Sequence, residues 1–293
     1  MIPPSFEYAA PRSIPEALSL LKRSGEDAKI LAGGQSLIPL MKLRLGSPGL
    51  LVDINRIPGL DYIREAGGRL RMGALTRIAD VEASELLKSK YTIIHDASLE
   101  IADPTVRNLG TVGGNVSHAD PANDLPAVTL ALEAEFRAEG PSGGRIIKAD
   151  DFFVDTFTTA LKHDEILTEI SLPMATSRTG GAYLKLEKRA GDFAIVGTAV
   201  QLTLNGRDEC EKLGIGLTAA GATAIRAREA EGALKGKRLT DEGALRDVGN
   251  LAASAASPSS DLRGPAEYKK EMIKVLTIRA LKRAYQRARM GGG

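Results

Sequence analysis

The sequence has almost none of the residues that hold metal clusters. Cys210 is the only cysteine in 293 residues, and the three histidines, His95, His118 and His163, are far apart along the chain. One cysteine cannot form an internal disulfide, and iron–sulfur clusters and structural zinc sites need sets of cysteine or histidine ligands. Any such centre that works with this chain must therefore be held by another chain.

Long apolar runs and blocks of one charge are also missing. No apolar stretch approaches the roughly 20 residues that span a membrane, and the opening residues 1–6 lack the basic and apolar regions of a secretory signal. The 39 Lys and Arg nearly balance the 37 Asp and Glu, which disfavours nucleic acid as a partner. We expect a cytoplasmic protein without a membrane span.

Three common catalytic or nucleotide motifs are absent. There is no Gly-x-Ser-x-Gly elbow of a serine hydrolase and no Gly-Lys-Ser or Gly-Lys-Thr of a phosphate loop. The Rossmann pattern Gly-x-Gly-x-x-Gly is missing too, and its nearest approach, Gly214-Ile-Gly216, is more typical of a strand that contains glycine. These absences argue against hydrolysis, ATP chemistry and a Rossmann domain.

The apolar pattern instead predicts α+β modules. Ser13 and Glu16 have capping-box spacing and Gly25 can end the helix that they begin. Two short apolar runs, 29–32 and 50–53, suit buried strands on either side of a helical stretch at 39–45, which gives a small βαβ-like module.

Two further modules are expected after this one. Strand candidates at 69–72 and 165–172 bracket helices that begin near Thr76 and Tyr91, and the segment 175–181 has the composition of a linker. Beyond it, strand-like runs at 182–188, 194–204 and 213–219 precede helices. The predicted domains are residues 1–56, 57–176 and 177–293.

The C-terminal segment is the most basic part of the chain. Eight Lys and Arg between Lys269 and Arg289 face a single acid, Glu271, while apolar residues from Ile273 to Ala284 repeat at helical spacing. Aromatic residues are not interleaved as in a nucleic-acid surface. We interpret the segment as a docked amphipathic helix with a solvated basic face.

Ala32-Gly33-Gly34-Gln35-Ser36 follows a strand candidate directly. Glycines permit positive φ and expose backbone N–H groups, so successive donors can surround a phosphate, and Ser36 adds a hydroxyl. By itself, a strand followed by Gly-Gly is as often only a tight turn.

A second glycine pair lies in Thr111-Val-Gly113-Gly114-Asn115, shortly before the loop Asp120-Pro-Ala-Asn-Asp124. Two glycine loops can hold a pyrophosphate from both sides, and the carboxylates can accept hydrogen bonds from ribose hydroxyls or ring N–H groups. The combination suits a dinucleotide. His118 lies nearby and is either a ligand contact or an ordinary loop histidine, so it is given no catalytic role.

These motifs together resemble the medium subunit of the carbon monoxide dehydrogenase and xanthine dehydrogenase family of molybdenum hydroxylases. The resemblance rests on 32–45, on 111–115 with 120–124, on Gly73-Ala-Leu-Thr76, and on Lys185-Leu-Glu-Lys-Arg189 followed by Asp192-Phe-Ala194. It covers essentially the whole chain in the same order. It implies a vanillyl-alcohol-oxidase-type fold, in which two α+β subdomains enclose FAD and a C-terminal α+β domain covers it.

The resemblance also implies the FAD-binding residues. Phe193 stands where many relatives have tyrosine, and Gln35 where they often have histidine. Lys185 matches a lysine near the flavin ring, where it would stabilise the reduced flavin, although a surface lysine beside Glu187 and Lys188 is the alternative. The implied cofactor-binding set is Ala32, Gly33, Gly34, Gln35, Ser36, Leu37, Ile101, Thr111, Gly113, Gly114, Asn115, Asp124, Leu167, Lys185 and Phe193.

The function implied by the resemblance is an electron relay. In this family, a large subunit with a molybdenum cofactor oxidises the substrate, and a small subunit with two [2Fe–2S] clusters carries electrons to FAD, typically in a dimer of heterotrimers. Two alternatives stay open: a self-sufficient FAD-dependent oxidase or reductase, and a non-catalytic scaffold that has lost flavin. The substrate (carbon monoxide, a purine, an aldehyde or an N-heterocycle) and the acceptor (quinone, NAD or oxygen) are also open.

Overall fold

The computed structural model describes residues 2–290, which begin with a small parallel sheet. Its elements are β1 (Glu7–Ala9), α1 (Ile14–Ser24), β2 (Ala28–Leu31), α2 (Leu37–Lys42) and β3 (Leu50–Asp53). The strand order is β1-β3-β2, with both pairings parallel. The unit β2-α2-β3 is the predicted βαβ module, and β1 is an additional edge strand that the apolar pattern did not reveal.

The ends of α1 show how local sequence fixes this module. The Ser13 hydroxyl accepts a hydrogen bond from the backbone N–H of Glu16 at 3.3 Å, and Gly25 follows the helix with φ at +57°. The Glu16 carboxylate accepts from the N–H of Arg12 at 2.8 Å, which is one residue before the donor of an ideal capping box. The predicted start and stop of the helix are confirmed.

A five-stranded antiparallel sheet follows, in the order β4-β5-β10-β6-β7. Six helices lie between its second and third strands along the described chain, and a separate two-stranded ladder, Phe153–Asp155 with Thr158–Thr159, precedes its last strand. The elements are β4 (Ile63–Ala66), β5 (Arg69–Gly73), α3 (Ile78–Ala83), α4 (Glu85–Lys90), α5 (Thr92–Glu100), α6 (Pro104–Leu109), α7 (Val112–His118), α8 (Asp124–Ala131), β6 (Glu135–Gly140), β7 (Gly143–Lys148), α9 (Ala149–Phe152), β8 (Phe153–Asp155), β9 (Thr158–Thr159) and β10 (Ile166–Pro173).

The rest of the described chain forms a four-stranded antiparallel sheet, β11-β12-β13-β14, with three helices packed on it. The last helix buries Ile273, Leu276, Ala280 and Ala284 against the sheet, so the predicted docked amphipathic helix is confirmed. Its basic face is not wholly solvated as predicted, because Lys269 is 3% exposed and pairs with Asp261. The elements are β11 (Thr179–Leu186), β12 (Val196–Leu204), β13 (Cys210–Thr218), β14 (Ile225–Arg226), α10 (Arg228–Leu234), α11 (Glu242–Ala255) and α12 (Ala266–Met290).

The interpretation of residues 175–181 as a linker is wrong at its C-terminal end, because β11 begins at Thr179. Gly180 and Gly181 serve close packing within this strand. A Cβ on Gly180 would lie 2.5 Å from the Ala288 backbone nitrogen in α12, and a Cβ on Gly181 would lie 2.8 Å from the Ile93 Cβ in α5. These glycines let the strand approach a helix on each side, which composition alone does not reveal.

Close backbone contact also joins the third sheet to the rest of the molecule. Gly214 and Gly216 lie in β13, as the strand interpretation of that motif predicted. A Cβ on either residue would overlap the backbone of α8, at Ala131 and Ala127 respectively. The third sheet is therefore packed directly on α8, whose N-terminal residue is Asp124.

Metal and membrane features are absent from the part of the chain described here. Within residues 2–290, no group of three or more His, Cys, Asp or Glu side chains could hold a metal ion. Cys210 is buried, and burial raises the pKa of its thiol to about 11, which makes it a poor nucleophile or ligand. In the same range, no helix combines the length and the apolar character needed to cross a bilayer.

Candidate flavin site

A cavity of about 490 Å³ lies where the two glycine segments meet, within the size range of ligand pockets. All the residues expected to bind FAD line it except Lys185. Those lining residues are Ala32, Gly33, Gly34, Gln35, Ser36, Leu37, Ile101, Thr111, Gly113, Gly114, Asn115, Asp124, Leu167 and Phe193. Their roles towards a cofactor stay predictions, and the structure gives the geometry on which those roles depend.

The first glycine loop connects β2 to α2 and presents free backbone donors. Gly34 has φ at +72°, a conformation that glycine adopts without strain, and its carbonyl accepts from the N–H of Ile38 at 3.1 Å. The N–H groups of Gly34, Gln35 and Ser36 have no acceptor among residues 2–290. Adjacent free donors of this kind form an anion-binding concavity.

The second glycine segment is helical, whereas the sequence suggested a loop. It is the first turn of α7, with Thr111 as N-cap, and its N–H groups already have partners in the chain. Val112 donates to the Thr76 carbonyl at 3.0 Å, Gly113 to the Ala74 carbonyl at 2.9 Å, and Gly114 to the Thr111 hydroxyl at 3.0 Å. This segment therefore offers a close, side-chain-free surface rather than a row of free donors.

The first glycine loop lies directly against the two residues that precede the second glycine segment. A Cβ on Gly33 would lie 2.7 Å from the Gly110 Cα and would also overlap the Leu109 carbonyl. Arg77 ties the segments together from outside the cavity: its guanidinium donates to the Leu109 carbonyl and, at 2.7 Å, to the Asn55 side-chain oxygen. The Asn55 amide in turn donates to the Ala32 carbonyl at 2.8 Å. We call Arg77 and Asn55 the loop clamp.

Asp124 supplies the buried carboxylate of the cavity. It is 6% exposed, and Asp124 Oδ1 accepts a hydrogen bond from the Tyr183 hydroxyl at 2.7 Å. Burial raises the pKa of Asp124 to about 7, although Lys185 and the Tyr183 hydrogen bond both lower it. Asp120, in the same sequence motif, accepts from the Ala122 N–H and does not line the cavity.

Lys185 lies behind the cavity wall. Its side chain is 1% exposed, so the alternative of a surface lysine is wrong. The ammonium donates to the carbonyls of Glu100 and, at 3.0 Å, Asp192. It also lies 3.0 Å from the Glu187 carboxylate and 3.6 Å from Asp124 Oδ1. Lys185 therefore reaches the cavity through the charge of Asp124 rather than by lining it.

Apolar side chains form the remaining walls, and the sequence motifs missed most of them. Ile101 and Leu167 are buried and line the cavity, whereas Phe193 is 47% exposed. Some of the missed residues lay inside quoted motifs without being assigned to the site, namely Leu40, Ala74, Asn123 and Asp192, and the others come from segments without a distinctive motif. The missed residues are Lys29, Ile30, Leu31, Leu40, Ile54, Ala74, Ile78, Ala102, Val106, Gly110, Ser117, Asn123, Leu161, Ile166, Gly191 and Asp192.

His118 also lines the cavity but shows no sign of a catalytic role. Its ring packs against Phe157 with the centroids 5.1 Å apart. Burial lowers the pKa of His118, so the neutral imidazole is favoured.

The cavity residues fit a flavin dinucleotide. The free amides of the first loop suit a pyrophosphate, and the apolar walls suit a planar ring system. The side-chain oxygen Oδ1 of Asn115 is buried at the cavity with no partner among the described residues, so it can accept from a bound ligand. Fold and site together therefore suit a protein that binds a flavin dinucleotide.

Comparison with known proteins identifies the family. Residues 4–175 match the FAD binding domain in molybdopterin dehydrogenase, and residues 181–284 match the CO dehydrogenase flavoprotein C-terminal domain. The chain belongs to this family of molybdenum hydroxylase medium subunits, as its motifs predicted.

Individual relatives match over nearly their full lengths. The chain is 44% identical to the carbon monoxide dehydrogenase medium chain of Hydrogenophaga pseudoflava, over 98% of this chain and 99% of the relative. It is 39% identical to the glyceraldehyde dehydrogenase medium chain of Sulfolobus acidocaldarius, over 96% and 99%. A solved structure of the Hydrogenophaga pseudoflava carbon monoxide dehydrogenase superposes with a TM-score of 0.95, at 44% identity over 98% and 99% of the two chains. The expected α+β fold is confirmed.

Proposed function

We propose that this chain is the FAD-binding medium subunit of a molybdenum hydroxylase complex, and that it passes electrons from iron–sulfur clusters of a partner subunit to an external acceptor. The observation that carries the proposal is the cavity itself, which combines free amides at Gly34, Gln35 and Ser36 with the buried carboxylate of Asp124. Bound FAD would supply the exchange between one-electron and two-electron transfer.

Each group of cavity residues has a separate task in this proposal. The first-loop amides hold the pyrophosphate, and Gly114 keeps the opposite surface free of side chain. Asp124 accepts a hydrogen bond from a flavin donor, and Lys185 favours the ionised form of Asp124 from behind the wall. Ile101 and Leu167 exclude water from the ring.

The proposed partner subunits would hold the metal centres that the described part of this chain does not hold. Among the described residues there is no cluster that could hold a metal, so the [2Fe–2S] clusters and the molybdenum cofactor belong to a small and a large partner subunit. The relatives are named as medium chains, which supports a multi-subunit assembly. We further propose a dimer of heterotrimers in the cytoplasm.

The domain division is kept as part of the proposal. Residues 1–56 and 57–176 would enclose the cofactor and 177–293 would cover it. The three larger sheets support this division, since the first ends at Asp53, the second has strands between Ile63 and Pro173, and the third starts at Thr179. The first family match ends at residue 175 and the second begins at residue 181, which also agrees with a boundary near residue 176.

Substrate choice is assigned to the large subunit. Medium chains 44% and 39% identical to this one carry the names of enzymes that act on carbon monoxide and on glyceraldehyde. A shared flavin subunit can therefore serve different substrates, and the substrate and final acceptor of this complex stay open.

Replacing Gly114 tests the cavity as the FAD site. A leucine there would fill the surface beside Thr111 and Ala32, so the full-length Gly114→Leu chain should lose FAD in equilibrium titration. Gly232→Leu is the matched control, because Gly232 also lies in a helix and its Cβ would meet no atom within 4 Å. Full flavin occupancy in Gly114→Leu would count against the proposed site.

A further inference from the structure

Tyr183 makes the closest side-chain contact to the cavity carboxylate without lining the cavity itself. It lies in β11 and is 1% exposed, with its hydroxyl 2.7 Å from Asp124 Oδ1. Gly197 is the residue opposite Lys185 in β12, and a Cβ there would lie 2.6 Å from the phenol oxygen. The third sheet therefore leaves room for this one hydroxyl to reach α8.

The direction of the hydrogen bond to Asp124 follows from the number of protons. The phenol has one proton, and the shorter contact, to Asp124, takes it. The Thr218 hydroxyl lies 3.2 Å from the phenol oxygen and is then free to donate to it. Thr218 then donates to Tyr183, and Tyr183 donates to Asp124, whose carboxylate accepts.

The charged and titratable groups around Asp124 oppose one another. Lys185 lies 3.6 Å from Asp124 Oδ1 and stabilises the ionised carboxylate, whereas Glu100 at the end of α5 destabilises it. Tyr183 is the direct hydrogen-bond donor, and His118 of α7 lines the same cavity. Burial raises the pKa of Asp124 to about 7, while Lys185 and the Tyr183 hydrogen bond lower it. Loss of either residue would therefore raise the pKa of Asp124 further.

We propose that Tyr183 is a positioning residue for the cofactor, acting through Asp124: it occupies Oδ1 and keeps the carboxylate an acceptor for a hydrogen-bond donor in the cavity. The inference rests on the proposed function, because FAD has such donors in its ring N–H and ribityl hydroxyls. Tyr183 and Thr218 belong to the third sheet, so that sheet would control cofactor binding without touching the cofactor.

The test is FAD titration of the full-length chain and of Tyr183→Phe between about pH 6 and pH 9. Near neutral pH the dissociation constant should rise about tenfold in the variant, because loss of the Tyr183 donor raises the pKa of Asp124 by about one unit and so protonates the carboxylate that accepts from FAD. The difference should narrow at high pH, where Asp124 is ionised in both proteins. The fall in affinity on acidification should begin at a higher pH in the variant.

Tyr91→Phe is the matched control. Tyr91 is also 1% exposed and donates to a carboxylate, Glu65 Oε1, at 2.9 Å, but neither residue lines the cavity. This variant should bind FAD as the unmodified chain does at every pH. A Tyr183→Phe chain with unchanged affinity, or with the same loss at every pH, would overturn the proposal.

A double-mutant cycle gives a second readout. In an Asp124→Asn background, Tyr183→Phe should have little further effect on FAD affinity, since its route is through the carboxylate. Additive losses would contradict this.

If Tyr183→Phe does not fold, Thr218→Val should shift the pH dependence in the same direction by a smaller amount, and an unchanged profile would overturn the proposal. Failure of the unmodified chain to bind FAD would instead reject the proposed function.

Discussion

Gly33 lies directly against the backbone of Leu109 and Gly110, just before the second glycine segment, so the effect of Gly33→Ala can be worked out from the structure. The added Cβ would lie 2.7 Å from the Gly110 Cα, whereas carbon atoms in contact normally lie about 3.5–4.0 Å apart. The obstructing atoms at Leu109 and Gly110 are backbone and cannot rotate away. The segments must therefore separate by about 1 Å.

That separation should weaken FAD binding substantially. Forcing extra atoms into a close-packed contact costs about 1–3 kcal/mol, which corresponds to roughly a ten- to hundredfold increase in the FAD dissociation constant if the cost falls on the bound state. The same shift would move the free N–H groups of Gln35 and Ser36 away from the opposite wall.

The assay is quenching of FAD fluorescence on binding to the full-length chain, with thermal unfolding of the FAD-free protein measured alongside. Gly46→Ala is the control: Gly46 follows the same helix α2, and a Cβ there would meet nothing within 4 Å. The control should bind FAD normally. An affinity of Gly33→Ala within about twofold of the unmodified chain, a difference of less than ~0.5 kcal/mol, would refute the reasoning.

Three further variants test other parts of the site. Asp124→Asn should raise the melting temperature of the FAD-free chain at high pH, because burial raises the pKa of Asp124 from 3.8 to about 7 and its stabilising contribution is lost as pH rises through that window; a pH-independent difference would contradict this. Arg77→Ala should speed FAD dissociation severalfold in stopped-flow measurements, because it removes the bonds to Asn55 and Leu109; an unchanged rate would show that the loop clamp is dispensable. Lys185→Met should lower the flavin potential in a redox titration, and an unchanged potential would remove Lys185 from any electronic role.

Local sequence predicted those parts of the fold that local interactions determine. The start and stop of α1 depend on Ser13 and Gly25, which act within one helical turn. The βαβ module depends on two apolar runs and the helix between them. In both cases the residues that decide the structure are neighbours along the chain, so their pattern carries the information.

The state of the second glycine segment could not be predicted in the same way. Paired glycines at Gly113 and Gly114 indicate close approach, but whether their N–H groups are free depends on which carbonyls face them. Ala74 and Thr76 supply acceptors to this segment from nearly 40 residues upstream. The paired glycines indicated a close approach of backbone, but they did not reveal that the N–H groups of Val112 and Gly113 are already bonded. Those acceptors belong to a distant part of the chain, so the local pattern does not contain them.

The burial of the Lys185 charge could not be predicted from local sequence either. Lys185 lies in a strand beside Glu187 and Lys188, a pattern as typical of an exposed edge as of a buried site. Its side chain is 1% exposed, and its acceptors there, the carbonyls of Glu100 and Asp192, come from the end of α5 and from the loop before β12. The apolar cavity walls were missed for a related reason, since residues such as Ile78 and Val106 look like ordinary core positions.

The most direct test of the electron-relay proposal is native mass spectrometry of the chain purified gently from its source, with an absorption spectrum of the same sample. We expect FAD bound to this chain in a complex with a small iron–sulfur chain and a large molybdenum chain. A yellow homo-oligomer that oxidises substrate without other chains would contradict the account and establish a self-sufficient flavoenzyme. A colourless chain that binds no added FAD would indicate a scaffold.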